Sequence, residues 1–585
     1  MHIIKKFYTY RKKDLRDAAI SFSQKQFIIF GFVFVVCLTS LFIMLGNLNR
    51  MFMVEVPKNG GTVIEGIVGT PTLVNPVMAN SEADKDLTAL VYSGLMRKNS
   101  LGELIPDLAE SGPTISEDGK KYTFTIKEEA KFHNGKKVTA DDVIFTIEKI
   151  KDPTIKSPQK SRWDGVSVSK IDDKTIVFTT TEPYSSFLNN TTIGILPSSL
   201  WENVNPNDFG ISSLNNSKAI GSGPYKIKRV IKDDEGFAKK YELERFNDFI
   251  LGKPLIKNFN VISFDNEKEV IRALQSKTIT QAGCISPENM NNIKKDNYSI
   301  ETTTLPRLFG LFLNSKNNKI FANTQVLKAV NMSIDRQNII DQVLGGYGQS
   351  INNPIPEKMS PGEEDIKYGN NTILEANKIL EDNGWVLGPD NIRYKETEIK
   401  DGKNKEIVTE RLSFKITTGN TPELRKTIEL IKDQLYKIGI EVDISKIYET
   451  GQLNQIIRDR EYEALFFGQI INHQTDLYSF WHSSQISDSG LNIAMYNNRK
   501  VDNILESMIK ENLARDELDK KYEELKKEFA NSTPAIFVYS PHYLYLASKN
   551  INIVSLENMV SPADRFSSVY LWSANTDRVW KIFAK

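Results

Sequence analysis

Apolar and polar residues alternate over positions 121–127, where the apolar positions are Tyr122, Phe124 and Ile126. This period of two predicts a half-buried β-strand. The Asn134-Gly135 pair that follows can adopt the positive φ angles of a tight turn. We therefore expect a strand that runs into a turn.

A helix is predicted directly after this turn. Thr139 followed three residues later by Asp142 is typical of a capping box, in which hydroxyl and carboxylate bind backbone N–H groups at the helix start. Apolar residues then recur at helical spacing as far as Asp152-Pro153, a pair that predicts the helix end.

The same stretch contains His133 beside two adjacent carboxylates, Asp141 and Asp142, which raises the question of a metal or catalytic site. A lone histidine lacks the partner ligands that a metal ion needs. Both aspartates already have a structural role at the positive end of the helix dipole. The pattern therefore favours scaffold over chemistry.

Helix and strand patterns alternate through the rest of the chain. Residues 87–95, 266–277 and 323–346 predict helices, the last of them ended by paired glycines, and residues 175–183 predict a strand. Residues 421–447 combine an amphipathic helix with a strand, a unit that packs in α/β layers. The 585 residues exceed one core, so we expect a mixed α/β protein of two or three domains.

An uncharged segment of 19 residues, positions 27–45, is long enough to cross the hydrocarbon core of a bilayer as a helix. Positive charge precedes it, so residues 1–26 are predicted to stay in the cytoplasm and the body beyond about Arg50 to be exported. A cleaved signal peptide is the alternative, but no A-x-A site follows. The sequence therefore favours a single-pass anchor.

Charge is distributed unevenly along the chain. Residues 1–50 carry eight Lys and Arg against two Asp, whereas the rest carries 67 basic and 72 acidic residues. A mildly acidic body gives no electrostatic reason to expect nucleic acid as a partner.

The two cysteines, Cys37 in the apolar segment and Cys284 in the body, cannot form a disulfide within the exported part. Cys37 follows Val35-Val36 rather than small residues, which argues against a lipoprotein cleavage site. We expect stability to come from packing.

Motifs of the common enzyme classes do not occur in the sequence: there is no P-loop, no H-E-x-x-H and no G-x-S-x-G. His473 and His482 could bring both rings to one cleft, but no cysteine lies near them to complete a transition-metal site. The glycines of "GSGPY" (221–225) indicate a turn between strands. We therefore predict no enzyme activity, no metal and no cofactor.

An ordered series of motifs over residues 89–153 resembles the signature region of the family 5 extracellular solute-binding proteins, the peptide, dipeptide and nickel-binding components of ABC importers. The matching residues are Tyr92, Gly94 and Leu95; Pro106, Leu108 and Ala109; Asp118, Gly119, Tyr122 and Phe124; Phe132, His133 and Gly135; and Thr139, Ala140, Asp142, Val143 and Phe145. The "GSGPY", "SIDR" and "EANKILEDNGW" segments extend the likeness to roughly residues 60–585. Two departures are an apparent transmembrane anchor in place of a lipidated N-terminus, and Asn331-Met332-Ser333 where the family is richer in alanine.

This resemblance implies an α/β fold of the type II periplasmic-binding-protein kind, with two lobes, an inserted domain and a cleft between the lobes. The strands that cross between the lobes would act as the hinge. The implied domain limits are 59–96 with 219–306 and 548–585 for domain I, 97–218 for domain II, and 307–547 for domain III.

Candidate ligand contacts also come from the resemblance. Peptide-binding members hold the ligand amine with an aspartate, and Asp476 is the match here; its alternative role is a helix cap. Tyr478 and Trp481 could form apolar pocket walls or pack in the core. Arg307 could pair with a ligand carboxylate or with a structural partner.

The implied function is a membrane-tethered, extracytoplasmic protein, expected as a monomer, that captures peptides and delivers them to an ABC permease. One alternative on the same fold is a nickel chelate or an oligosaccharide, because a fold does not determine a ligand. Another is a sensor or scaffold whose N-terminal segment reports ligand state across the membrane.

Overall fold

The computed structural model describes residues 23–181, 187–283, 285–293, 295–357, 359–360, 370–401, 404–487, 490–511, 513 and 515–580. Most of the predicted cytoplasmic segment, residues 1–22, and Cys284 lie outside these ranges. The chain divides into two units: residues up to 58 together with those from 575, and residues 59–574.

The first unit contains helix α1 (Gln24–Phe52) and a two-stranded sheet. Within α1, residues 28–46 are apolar, unburied and long enough to cross a membrane, a property that membrane anchors and signal sequences share. Strand β1 (Met53–Pro57) pairs antiparallel with the C-terminal strand β25 (Thr576–Trp580). The sequence pattern did not predict this pairing of the two ends of the chain.

A large mixed sheet runs through the second unit. Its strands, in spatial order, are β20 (Glu441–Tyr448), β19 (Ser413–Gly419), β21 (Ala464–Ile470), β14 (Arg307–Leu313), β22 (Ala535–Ser548), β12 (Gln281–Gly283), β2 (Thr62–Val68), β11 (Asn258–Phe264), β10 (Ala238–Arg245) and β9 (Tyr225–Lys232). Strands β13 (Tyr298–Thr304) and β15 (Gly348–Ser350) also pair with β22.

Smaller sheets surround the large one. They are the hairpin β3 (Met96–Lys98) and β4 (Leu104–Pro106); the sheet of β5 (Thr114–Ile115), β6 (Lys121–Thr125), β8 (Thr175–Thr180) and β7 (Val166–Lys170); the sheet of β16 (Val386–Leu387), β17 (Arg393–Asp401) and β18 (Asn404–Arg411); and the pair β23 (Ile551–Asn552) and β24 (Ser573–Ala574).

The second unit also contains helices. They are α2 (Glu82–Val91), α3 (Ala140–Lys151), α4 (Phe187–Asn190), α5 (Ser198–Trp201), α6 (Glu267–Gln275), α7 (Thr324–Ser333), α8 (Arg336–Leu344), α9 (Asn370–Asp382), α10 (Pro422–Tyr436), α11 (Thr450–Asp459), α12 (Gln474–Trp481), α13 (Arg499–Lys510) and α14 (Arg515–Ser532).

Strand β22 joins the two halves of the large sheet. Its N-terminal residues pair with β14, with Tyr539 opposite Phe309, and its C-terminal residues pair with β12 and β13. The second connection is Leu305-Pro306, between β13 and β14. The Ser540 hydroxyl of β22 donates a hydrogen bond of 3.2 Å to the Leu305 carbonyl, so the two connections are themselves bonded together.

The predicted strand, turn and helix over residues 121–153 form as expected. Tyr122 and Phe124 are buried in β6, and Gly135 has a φ of +83° in the turn. Asp142 Oδ2 accepts the Thr139 backbone N–H at 2.9 Å, and Oδ1 accepts that of Ser198 at 2.8 Å. Both oxygens of this carboxylate thus accept backbone N–H groups, which is a structural role.

Two predicted helix limits differ from the structure. The helix expected at 87–95 is α2, which begins earlier because Ser81 and Asp84 form a capping box, and ends at Val91 because Tyr92 has an extended backbone. The segment 323–346 forms two helices, α7 and α8, because the Asp335 side chain accepts the Asn338 N–H and starts a new helix. The period of the apolar residues did not reveal this break.

His133 connects the 132–135 turn to the "GSGPY" loop. Its Nε2 lies 3.0 Å from the Gly223 carbonyl, and its Nδ1 accepts the Gly221 N–H at 3.3 Å. These partners assign the neutral tautomer with the proton on Nε2. The loop needs glycines here because a Cβ at Gly221 would lie 2.1 Å from the Val91 carbonyl oxygen.

The neutral His133 predicts an acid-sensitive contribution to stability. Burial lowers its pKa to about 4, and the charge of Lys226 adds to this, while the hydrogen bond to the Gly223 carbonyl acts against it. Between about pH 6.5 and pH 4 the unfolded chain binds a proton at this residue that the folded chain does not, so the contribution falls as pH falls, by up to about 3 kcal/mol. Urea unfolding at pH 7 and pH 4 should show a smaller pH-dependent loss in His133→Gln than in wild type; equal losses would contradict the role.

Arg565 forms a buried ion network with two carboxylates. Its guanidinium lies 2.6 Å from Asp86 and 3.0 Å from Glu65, and all three side chains are buried. The Tyr545 hydroxyl of β22 donates to Glu65 at 2.7 Å. Burial raises the pKa of both carboxyl groups, and the Arg565 charge acts against that shift.

Removing the cation should therefore be costly. We expect Arg565→Met to lower the free energy of unfolding by about 3–5 kcal/mol, because it leaves two carboxylates buried without a cation. The matched control is Arg229→Met, which breaks an exposed pair with Glu242 and should cost less than about 1 kcal/mol. Urea unfolding of the detergent-solubilised protein measures both, and similar losses would contradict the network's importance.

Candidate functional site

A cleft of about 410 Å³ lies against the Leu305-Pro306 connection of the second unit. One wall comes from residues between 76 and 194 and from the 560–567 turn. The other comes from Arg307 and from Ile470, Asn472 and His473. The volume is within the range of small-ligand sites.

Strand pairing positions the second wall. Arg307 begins β14 and Ile470 ends β21, and the two residues are opposite each other in the antiparallel register. The Ile471 N–H donates to the Pro306 carbonyl at 2.9 Å, which holds the chain as it leaves the sheet. Asn472 and His473 therefore lie at the cleft, directly before α12.

Arg307 is the predicted residue that the structure brings to the cleft. Its side chain is exposed, and it makes no hydrogen bond or ion pair with the described residues. Glu423 is near enough for its charge to interact with that of Arg307, although the Glu423 carboxylate accepts the Tyr539 hydroxyl. Its contact with a ligand carboxylate stays a prediction.

Asp476 lies in the first turn of α12 rather than among the residues that line the cleft. Its Oδ2 accepts the backbone N–H of Asn472 at 2.7 Å and that of His473 at 3.0 Å. This is the capping role that the sequence left open. Asp476 therefore holds two residues that do line the cleft, and its direct contact with a ligand stays a prediction.

Tyr478 and Trp481 do not line this cleft either. Trp481 is 1% exposed and packs on Phe529, with ring centroids 5.0 Å apart. Tyr478 stacks on His482 at 4.2 Å. Both aromatic residues thus pack with other side chains, as the sequence allowed, and a role as ligand contacts stays a prediction.

The structure separates His473 from His482. His473 lines the cleft, whereas His482 is buried, with Nδ1 2.8 Å from the Ser484 hydroxyl and Nε2 3.3 Å from Glu506. Among the residues that the structure describes, no three or more His, Cys, Asp or Glu side chains group together as metal ligands. The pairing that suggested a nickel chelate is therefore not formed.

Sequence reasoning missed the basic residues of the first wall. Lys98 ends the short strand β3, and Arg162 lies in a 3-10 turn (Lys160–Trp163) held by the buried Trp163. Burial lowers the pKa of His473, and the charges of Lys98 and Arg162 lower it further while Asp476 raises it. No local motif marks these residues, because they come from segments more than 300 residues away from His473.

The capping role of Asp476 can be tested without any ligand. Asp476→Ala should lower the free energy of unfolding of the ligand-free protein by about 0.5–2 kcal/mol, since two backbone N–H groups lose their acceptor. Asp516→Ala, an exposed first-turn aspartate of α14, is the matched control and should change stability much less. Chemical unfolding measures both, and an unchanged stability for Asp476→Ala would contradict the cap.

Comparison with known proteins agrees with this architecture. The sequence model of the family "Bacterial extracellular solute-binding proteins, family 5 Middle" matches residues 103–488. The oligopeptide-binding protein AppA of Bacillus subtilis is 28% identical over 496 residues, which cover 83% of this chain and 87% of that protein.

Solved structures show the same fold. That of Bacillus subtilis AppA in complex with a nonapeptide has a TM-score of 0.64 at 26% identity, and it covers 89% of this chain and 100% of that chain. That of the ABC transporter substrate-binding protein CtaP from Listeria monocytogenes has a TM-score of 0.73 at 23% identity, and it covers 88% of this chain and 100% of that chain. The α/β two-lobed fold expected from the resemblance is confirmed. Because the family model spans well over half of its residues, this chain belongs to the family 5 bacterial extracellular solute-binding proteins.

Proposed function

We propose that this protein captures peptides outside the cytoplasm and delivers them to an ABC permease. The observation that carries the proposal is the cleft against the Leu305-Pro306 connection, with one wall from residues between 76 and 194 and from 560–567, and the other from the ends of β14 and β21 and the residues after β21. The name of the Bacillus subtilis relative and the nonapeptide in its structure support peptides as the solute.

The proposed cycle depends on hinge motion. β22 and Leu305-Pro306 connect the two halves of the large sheet, so rotation about them would open and close the cleft. We retain the domain limits inferred from sequence: 59–96, 219–306 and 548–585 for domain I, 97–218 for domain II and 307–547 for domain III. Under these limits Lys98 and Arg162 of domain II also face the ligand, beside domains I and III.

Tethering by α1 completes the proposal. Residues 28–46 would remain in the membrane, residues 1–26 would lie in the cytoplasm, and the second unit would be extracytoplasmic. A monomer without enzymatic activity suits this role, since the protein has only to bind its ligand and release it to the permease. Belonging to a family of solute-binding proteins supports the absence of catalysis.

Peptide capture predicts stabilisation by ligand. A mixed library of di- to decapeptides, at about 100 times the dissociation constant, should add roughly 2.7 kcal/mol to the stability of the detergent-solubilised protein. Arg307→Ala should reduce this gain, and Asp476→Ala should abolish it if the aspartate holds the ligand amine. Thermal unfolding measures the gain, with Arg229→Ala, which removes an exposed cation remote from the cleft, as the control.

Comparison of the two variants distinguishes a ligand contact by Asp476 from its role as a helix cap. A gain that survives Asp476→Ala but not Arg307→Ala would assign the aspartate to capping only. A folded, ligand-free wild type that no peptide stabilises would contradict peptide capture.

A further inference from the structure

The carboxylates that line the cleft each have a cation or a backbone N–H group of the protein as a partner. Glu82 pairs with Lys85 at 2.9 Å, and Asp107 pairs with Arg97 at 2.7 Å in a nearly buried ion pair. Asp564 accepts the backbone N–H groups of Val560 and Ser561, at 2.7 and 3.0 Å. Each of these three lining carboxylates thus has a partner within the protein, and the Asp107 oxygen without a hydrogen bond among the described residues, Oδ1, is buried.

Three cations at the same cleft are not paired. Lys98, Arg162 and Arg307 line it, and the described part of the chain offers none of their side chains a hydrogen bond or an ion pair. The charge of Glu423 interacts with that of Arg307, but the Glu423 carboxylate accepts the Tyr539 hydroxyl. The cleft therefore has an excess of positive charge.

These cations lie on both walls. Lys98 and Arg162 belong to the first wall, and Arg307 lies beside His473 on the second. The charges of Lys98 and Arg162 reach His473 across the cleft, since both lower its pKa, after burial as the main cause. Like charges on facing walls repel each other when the walls approach, and an anion between them would remove that repulsion.

Asn472 adds no charge to either wall. It stands where the chain leaves β21, at the cleft, and it carries a neutral amide. Its Oδ1 is buried and without a hydrogen-bond partner among the described residues. The charged group that follows it, Asp476, directs its Oδ2 at the backbone instead.

We propose that this cleft selects anionic solutes: the ligand presents carboxylates to Lys98, Arg162 and Arg307, and binding does not require a free amine. The inference deepens the proposed function, on which it rests, by naming acidic or N-acylated peptides as the preferred class. Charge-assisted bonds to a guanidinium or an ammonium group are the chemistry that would hold such a carboxylate.

Three synthetic peptides of equal length test the selection. They are acetyl-Ala-Glu-Ala with a free C-terminus, uncharged acetyl-Ala-Gln-Ala-amide, and cationic Ala-Lys-Ala-amide with a free N-terminus. Isothermal titration calorimetry on the detergent-solubilised protein should give the order anionic, neutral, cationic, with at least a tenfold gap between the first two. The gap should shrink in high salt, which screens the exposed cations.

Two variants locate the effect. Lys98→Met and Arg162→Met remove the charge and keep an unbranched apolar side chain, so each should weaken binding of the anionic peptide about tenfold or more and leave binding of the neutral one within about twofold. Arg229→Met, an exposed cation paired with Glu242 outside the cleft, is the control and should change neither. Equal affinities across the three peptides, or variants that alter all peptides alike, would overturn the proposal.

A fourth probe separates this inference from peptide capture. If the folded protein binds none of the peptides, citrate is titrated as a small tricarboxylate. Citrate binding that Lys98→Met abolishes would support anion selection while peptide capture fails. No binding of citrate either would overturn both, whereas tight binding of the cationic peptide would support peptide capture and overturn only the charge preference.

Discussion

The structure depends on a single long strand that belongs to both halves of the large sheet. A strand can pair with two different groups of strands only if its side chains are buried in both halves of the sheet. Strand β22 meets this requirement over nearly its whole length. Two of its tyrosines donate their hydroxyls to carboxylates, Tyr539 to Glu423 in one half and Tyr545 to Glu65 in the other. Because an unpaired buried hydroxyl is costly, these bonds hold the register of the strand in each half.

The cleft follows from this arrangement. The two connections between the halves, β22 and Leu305-Pro306, are hydrogen-bonded through Ser540, so they form one narrow junction. The cleft opens against that junction. In the proposed hinge motion, a rotation there would change the separation of the cleft walls without breaking either half of the sheet, so charges such as Arg307 and Lys98 would approach each other as the cleft closes.

Scaffold and ligand chemistry use the same side-chain types in different surroundings. His133 is held neutral by two backbone partners. The carboxylates of Asp142 and Asp476 accept hydrogen bonds from backbone N–H groups. At the cleft, by contrast, Lys98 and Arg162 have charges that the described protein does not balance. The inference about what the cleft binds therefore depends on side chains whose charge the described protein does not balance, and not on residues that match a motif.

The sequence by itself determined the local elements and the family. Alternation at Tyr122 and Phe124, the Thr139 cap and the apolar run of α1 are contacts within a few residues, so pattern alone predicts them. The motifs around residues 89–153 predicted the two-lobed fold. The sequence did not predict the break between α7 and α8, because the break arises from one capping hydrogen bond at Asp335 and the spacing of apolar residues carries no sign of it.

Only the tertiary structure decided which side chains share the cleft. Asp476 and Trp481 lie within eight residues of His473 in sequence, yet one caps a helix and the other packs in the core, whereas Lys98 and Arg162 reach the cleft from more than 300 residues away. Such convergence is set by strand order and by the crossing of β22. Neither leaves a local signal, because the partners of a strand in a mixed sheet are chosen by burial over the whole molecule.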